Sequence, residues 1–152
     1  MRPPLIILTD KPLDLAGLSE KLPIENAAGA TSSFTGYVRE SDGLTALELL
    51  QHPVMTGRAL DHIARTAMQR FGVLDLLLAH RHGRMGIGEP IVHIAAAAPH
   101  RRAALDAVSF SIDVLKTQAP FWKREWRNDR YDWVEPGHED HEKAAQWLET
   151  KA

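Results

Sequence analysis

The chain has 152 residues, 44% of them hydrophobic and 25% charged, with a formal net charge of −2 and no cysteine. A chain of this size can bury an ordinary hydrophobic core, so a single domain is expected over residues 1–152. The composition excludes disulfides, thiolate metal sites and a cysteine nucleophile, and it gives no global pull toward nucleic acid or membrane.

The early apolar run from Leu5 to Leu8 is too short for a signal-peptide core or a membrane span, and a cytoplasmic location is expected. Ala27 to Val38 reads as a strand of small residues and glycines, in which Gly36 suggests a bulge or a close approach by another backbone. A polar turn over Arg39 to Gly43 leads to a second strand at Leu44 to Leu50. From Met55 to Phe71 the apolar positions Leu60, Ile63, Ala64, Ala67, Met68 and Phe71 form a helical stripe that Gly72 stops. Val73 to Ala79 reads as a buried strand, and the glycines after His82 read as a turn. Pro90 to Ala98 is the returning strand. A second long helix is expected from about Arg101 to Thr117. A last short strand at Trp133-Val134 and a terminal helix over Glu139 to Leu148 complete the pattern. The order from the second strand onward, β-α-β-β-α-β, gives an α+β fold class with a mixed or antiparallel sheet.

Charge is distributed unevenly along this pattern. From His100 to Arg130 there are seven Lys or Arg residues against four acids. Arg101 and Arg102 fall in the first turn of a helix, where the macrodipole favours anionic side chains, so their placement suits a site that holds an anion. The bland alternative is a pair of solvated arginines. Lys116 falls at the helix end, where a lysine is also an ordinary dipole partner, and Pro120 stops a regular helix from continuing to Lys123. Phe121 and Trp122 are expected to be buried and to draw Lys123 into a partly desolvated pocket. Arg39 leaves its strand at a turn, a position more often occupied by a surface residue than by a ligand. Glu125 either orients Lys123 or is solvated.

Arg101 and Lys116 are fifteen positions apart, roughly 22 Å along a helix, so one small ligand cannot touch both from a single helix. Either there are two sites, or one site is assembled across the boundary of a symmetric dimer, the arrangement favoured here. His80, His82 and His93 lack an accompanying carboxylate or cysteine cluster, so no metal site is expected. Gly83, Gly86 and Gly88 lack the strand-loop-helix context of a phosphate loop and read as hairpin glycines.

Five segments together carry a resemblance. Phe34-Thr-Gly-Tyr-Val-Arg39, His80-Arg-His-Gly-Arg-Met with Gly88-Glu89, Pro99-His-Arg101, Asp113-Val-Leu-Lys116, and Ala119-Pro-Phe-Trp-Lys-Arg-Glu125 resemble the molybdopterin synthase catalytic (large) subunit family. The resemblance runs from about Gly29 to the C-terminal helix and is densest from His80 to Glu125. It implies an α/β hammerhead fold and a sulfurtransferase of molybdenum cofactor biosynthesis, which converts cyclic pyranopterin monophosphate to molybdopterin. Sulfur would arrive as a thiocarboxylate on the C-terminal Gly-Gly of a small ubiquitin-like partner, and two large subunits would form the homodimer core of a heterotetramer. No resident cofactor is implied. Carried onto this sequence, the resemblance makes Lys116 and Lys123 catalytic, with Lys116 meeting the partner's tail. It gives Tyr37, Val38, Arg39, His100, Arg101, Arg124 and Glu125 to substrate binding, with His100 and Arg101 reaching over from the other protomer.

The chain departs from that pattern at Leu49-Leu-Gln-His-Pro-Val-Met55, where the family usually shows Leu-Glu-His-Tyr-Pro-Gly-Met. A carboxylate is lost and apolar character is gained near the start of the first long helix. The turn after Arg39 is also short. The altered Leu50-Gln51 region favours an alternative, a non-catalytic paralogue that docks the tail of a ubiquitin-like protein, whereas the intact Lys116 and Lys123 oppose it. A nucleic-acid-binding α+β domain would want more basic surface and aromatics exposed on a sheet.

Overall fold

The structure, a computed structural model, describes residues 2–149; residues 1 and 150–152 of the expected domain lie outside the described residues. In chain order the elements are β1 (Leu5–Thr9), α1 (Leu15–Glu20), β2 (Ala30–Tyr37), β3 (Ala46–Gln51), α2 (Met55–Phe71), β4 (Asp75–Arg81), β5 (Gly83–Gly86), β6 (Pro90–Ala98), α3 (Arg101–Gln118), β7 (Phe121–Arg127), β8 (Arg130–Val134) and α4 (His138–Glu149). The α+β class expected from the sequence is what the chain adopts, but the strands form two sheets rather than one. The first has the order β1-β4-β6-β2 and the second β5-β3-β7-β8. The first is mixed, because β1 runs parallel to β4 while its other pairs are antiparallel. The second is antiparallel throughout.

The first sheet is covered on both faces, and this explains why β4 and β6 read as continuous apolar runs without alternation. Leu76, Leu78, Ile94, Ala96 and Ala98 face the core shared with α2 and α3. Their neighbours Leu77, Ala79, Ala95 and Ala97 face Leu13, Leu18 and Leu22 on and around α1. The run of alanines at positions 95–98 keeps both covers close to the sheet. Neither β1 nor α1 was expected from the sequence, since five apolar residues and six helical ones carry too little periodicity by themselves.

The ends of the long helices obey local chemistry. Gly72 closes α2 in the left-handed region (φ 67°), its N–H bonded to the Met68 carbonyl at 2.9 Å, a conformation glycine adopts without steric penalty. Ala119 turns extended (φ −79°, ψ 128°) at the end of α3, as the following Pro120 demands. At Gly36 the register of β2 against β6 shifts, and a Cβ there would lie 3.1 Å from a Val92 methyl. The bulge and the close approach therefore coincide. The glycine segment after His82, read as a turn, forms strand β5, with Gly83 at φ 87° bending the chain from β4 into it.

Candidate active site

Strand β7 has two faces that differ sharply. Phe121, Lys123 and Glu125 point one way, toward the core formed by Leu47, Leu49 and Val38. Trp122, Arg124 and Trp126 point the other way, as period-two alternation requires. On the inner side lies a cleft of about 690 Å³. Its walls come from the exit of β2 (Tyr37, Val38, Arg39), the inner face of β3 and β7 (Leu47, Leu49, Lys123, Glu125) and the end of α3 (Leu115 to Ala119). The end of β8, the link after it and the start of α4 close one side with Val134, Pro136 and Asp140.

Arg39, Lys116 and Lys123 thus reach one cleft from three separate elements. None of them forms an ion pair within 4 Å among the described residues, whereas Glu125 is engaged by Arg127 at 3.5 Å. Lys116 is the desolvated cation. Lys116 is exposed as a residue, yet protein atoms close about its ammonium, and this desolvation lowers its pKa. The like charge of Lys123 lowers it further and Asp140 opposes the shift. Val38 is the anchor of its segment. Its side chain is buried, its N–H donates to the Glu89 carbonyl at 2.9 Å, and its own carbonyl accepts from Gly88 N–H at 2.8 Å. Glu89 in turn accepts bonds from the Arg81 guanidinium and the Gly86 N–H, and these hold its carboxyl below the usual range. The residues presenting Tyr37 and Arg39 to the cleft are therefore tied to a fixed hairpin.

His100 and Arg101 are elsewhere. With Gly29, Pro99 and Arg102 they line a separate shallow pocket at the start of α3. The close approach there requires Gly29, since a Cβ would sit 2.2 Å from the Pro99 carbonyl oxygen. Arg102 reaches Asp106 at 3.4 Å, while Arg101 has no ion-pair partner among the described residues. Because α3 runs unbroken from Arg101 to Gln118, a single chain does not bring Arg101 to Lys116.

One expected site residue stands apart from the cleft, and one expectation of burial is corrected. Arg124 does not face the cleft. On the outer face of the sheet its guanidinium pairs with Glu48 at 2.9 Å and lies 4.7 Å from the Tyr131 ring centre and 5.2 Å from that of Trp133. Trp122, expected to be buried beside Lys123, is 50% exposed on that same outer face. Only Phe121 packs inward.

Two cleft residues were not anticipated as functional. His80, read as a strand-end histidine, is buried behind the cleft with its ring stacked on Phe121 at 4.2 Å. Its Nδ1–H donates to the Arg81 carbonyl at 2.8 Å, which leaves Nε2 as the acceptor. Asp140 in the first turn of α4 is the other. Among the described residues no group of three or more potential metal ligands assembles, and no helix is long and apolar enough to cross a membrane.

The fold and cleft define an α+β protein with convergent, unneutralised cations, suited to an anionic ligand. Residues 8–118 match the family model described as MoaE protein. The chain is 46% identical over 121 residues to the molybdopterin synthase catalytic subunit of Cereibacter sphaeroides, covering 79% of this chain and 83% of that protein. Its fold matches the molybdopterin cofactor biosynthesis protein E of Burkholderia multivorans with a TM-score of 0.79 at 33% identity, over 97% of this chain and 98% of that one. A more distant match in fold is a chain from the Helicobacter pylori complex of subunits 1 and 2 of molybdopterin-converting factor. There the TM-score is 0.68 at 22% identity, over 88% of this chain and 90% of that one. The chain belongs to the MoaE protein family.

Proposed function

We propose that this chain, acting as a single cytoplasmic domain, is the catalytic subunit of a molybdopterin synthase. It converts cyclic pyranopterin monophosphate to molybdopterin with sulfur taken from the C-terminal thiocarboxylate of a small ubiquitin-like subunit. The observation that carries this reading is the convergence of Arg39, Lys116 and Lys123 on one cleft without ion-pair partners among the described residues. Substrate, sulfur donor and the oxyanions formed during acyl chemistry are all negative. Cations gathered on one cleft stabilise such charge where it develops. The absence of cysteine from the chain agrees with sulfur that arrives already activated on a partner.

In this reading Lys116 receives the partner's tail and Lys123 stabilises charge on the reacting sulfur and carbonyl. Arg39 holds the cyclic phosphate, with Tyr37 and Val38 shaping the wall beside it. When sulfur forms its bond to the pterin side chain, a C–O bond of that side chain breaks, and the acyl carbon that sulfur leaves takes its oxygen from water and finishes as a carboxylate. His100 and Arg101 act in the cleft of the second protomer of a homodimer, because α3 holds them about 22 Å from their own Lys116. A small subunit at each end of that homodimer completes a heterotetramer. The complex of two subunits described for the Helicobacter pylori protein supports a partner of this kind.

The test is reconstitution with the cyclic pterin and a thiocarboxylated small subunit. The wild-type chain is expected to form product. Lys116→Ala and Lys123→Ala should each reduce the rate by about a hundredfold or more, with folding unchanged by circular dichroism. Normal turnover in both variants removes the lysines from the mechanism. A stable complex without turnover in the wild-type chain would instead favour the non-catalytic docking role.

A further inference from the structure

The last helix carries a feature that the sulfur-transfer reading does not use. Along α4 the inward-facing residues are Asp140, Ala144 and Trp147, spaced i, i+4 and i+7 on one helical face. Trp147 anchors this face. Its indole N–H donates to the Asp113 carboxylate at 2.8 Å, and its ring packs edge-on against Phe71 and Phe110 at 5.6 and 5.7 Å. Its carbonyl also accepts a bond from Arg70 at 2.9 Å. Asp113 lies one turn before Lys116 on α3, so α4 runs back along α3 from this anchor. Two turns from Trp147 it delivers the Asp140 carboxylate to the wall of the cleft that holds Lys116 and Lys123.

Among the described residues the Asp140 carboxylate makes no ion pair within 4 Å, and its side-chain hydrogen bond is a long 3.4 Å contact from the Gly137 N–H. We infer that Asp140 is a positioning residue for the reaction: a carboxylate fixed by the Trp147 anchor that sets the protonation of Lys116 through space. This inference rests on the sulfur-transfer reading and adds α4 to the working parts of the site.

Among the described residues, few charged and titratable groups line the cleft with Lys116. They are Lys123 and Glu125 on β7, Arg39 and Tyr37 at the exit of β2, His80 on β4 and Asp140 on α4. Glu125 is turned toward Arg127. That leaves Asp140 as the cleft carboxylate without an ion-pair partner among the described residues, sharing the cleft with a lysine that desolvation and Lys123 both push toward the neutral form. A competing account gives Asp140 only the ordinary role of an acid in the first turn of a helix. Glu139 has that role too, but it is exposed and pairs with Lys143 at 3.4 Å.

The two accounts separate in the full-length chain. The Lys116 side chain is titrated by NMR after selective lysine labelling, its signal assigned with Lys116→Arg, and pH–rate profiles are recorded in the reconstituted reaction. Asp140→Asn should move the Lys116 midpoint to lower pH and carry the matching limb of the rate profile with it. Asp140→Glu should restore both, and Glu139→Gln should move neither. A midpoint unchanged in Asp140→Asn, or shifted equally by Glu139→Gln, overturns the inference. So does a shifted midpoint with an unshifted rate profile, which would make the contact irrelevant to turnover. A wild-type chain that forms no product at any pH refutes the sulfur-transfer reading instead, and the titration still reports on Asp140.

Discussion

His80 shows how one buried side chain couples the site to stability. Desolvation lowers its pKa to about 4, against the bond to the Arg81 carbonyl, with Lys116 and His82 adding to the depression. A free imidazole titrates near 6.5. Between those values the unfolded chain binds a proton that the folded chain refuses, so the stability due to neutral His80 is complete above pH 6.5 and is lost as pH falls toward 4. The loss is on the order of 3 kcal/mol for this group alone. Urea unfolding at pH 7 and pH 4.5 measures it. The stability difference between the two pH values should shrink in His80→Asn, whose amide can still donate to the Arg81 carbonyl; an undiminished difference would assign the pH dependence to other groups. Lys116 and Lys123 stood out in the sequence as cations flanking a proline and two aromatics, and Arg39 through the segment that resembles the family; the structure places all three on one cleft. The side of the sheet each residue faces was legible too, had β7 been recognised as a strand. Alternation alone separates Lys123 and Glu125 from Arg124. The role of His80 was hidden, because the partner that buries it, Phe121, lies about forty residues away in sequence.

At the scale of elements, the segment where the sequence departs from its family's pattern has a structural job. His52 Nδ1 accepts the N–H groups of Val54 and Met55 at 3.2 and 3.0 Å, occupying donors at the start of α2. Thr56 is fully buried; its hydroxyl accepts the His52 N–H at 2.9 Å and donates to the Pro120 carbonyl at 2.7 Å. That second bond ties α2 to the residue directly before β7, and so to the placement of Phe121 and Lys123. Thr56→Val keeps the volume but leaves both partners unmatched, at a cost of about 1–3 kcal/mol. Chemical denaturation should show that loss, and the reconstituted rate should fall more than that of a surface control destabilised equally; a rate that merely tracks stability would dissociate this latch from the site. The long helices and buried strands β4 and β6 were readable from period and apolar runs. Strands β7 and β8 were obscured because their outward face mixes arginine with tryptophan and tyrosine. Arg84 lies 4.2 Å from the centre of the Trp126 ring and Glu48 accepts the Trp126 indole N–H at 2.8 Å, so the usual contrast between apolar and polar positions is blurred there.

Across the whole molecule, the cations fall into two separate groups. One group lines the cleft at the end of α3, the other lies with Gly29 and Pro99 at its beginning, and a rigid helix keeps them apart. The sequence alone allowed this separation to be computed from the helical rise, but not which strands would wall the cleft. Pairing β3 with β7, across some seventy residues, depends on contacts that no local pattern reveals. If both groups serve one substrate, two chains must combine, and the direct measurement is complementation between inactive variants. Lys116→Ala and Arg101→Ala proteins, each inactive alone, would be co-refolded and assayed with the cyclic pterin and thiocarboxylated small subunit. Shared clefts predict recovery of about a quarter of the wild-type rate, from the mixed dimers that contain one intact site. Activity that stays at the level of the separate parents would contradict a cleft completed by the second protomer.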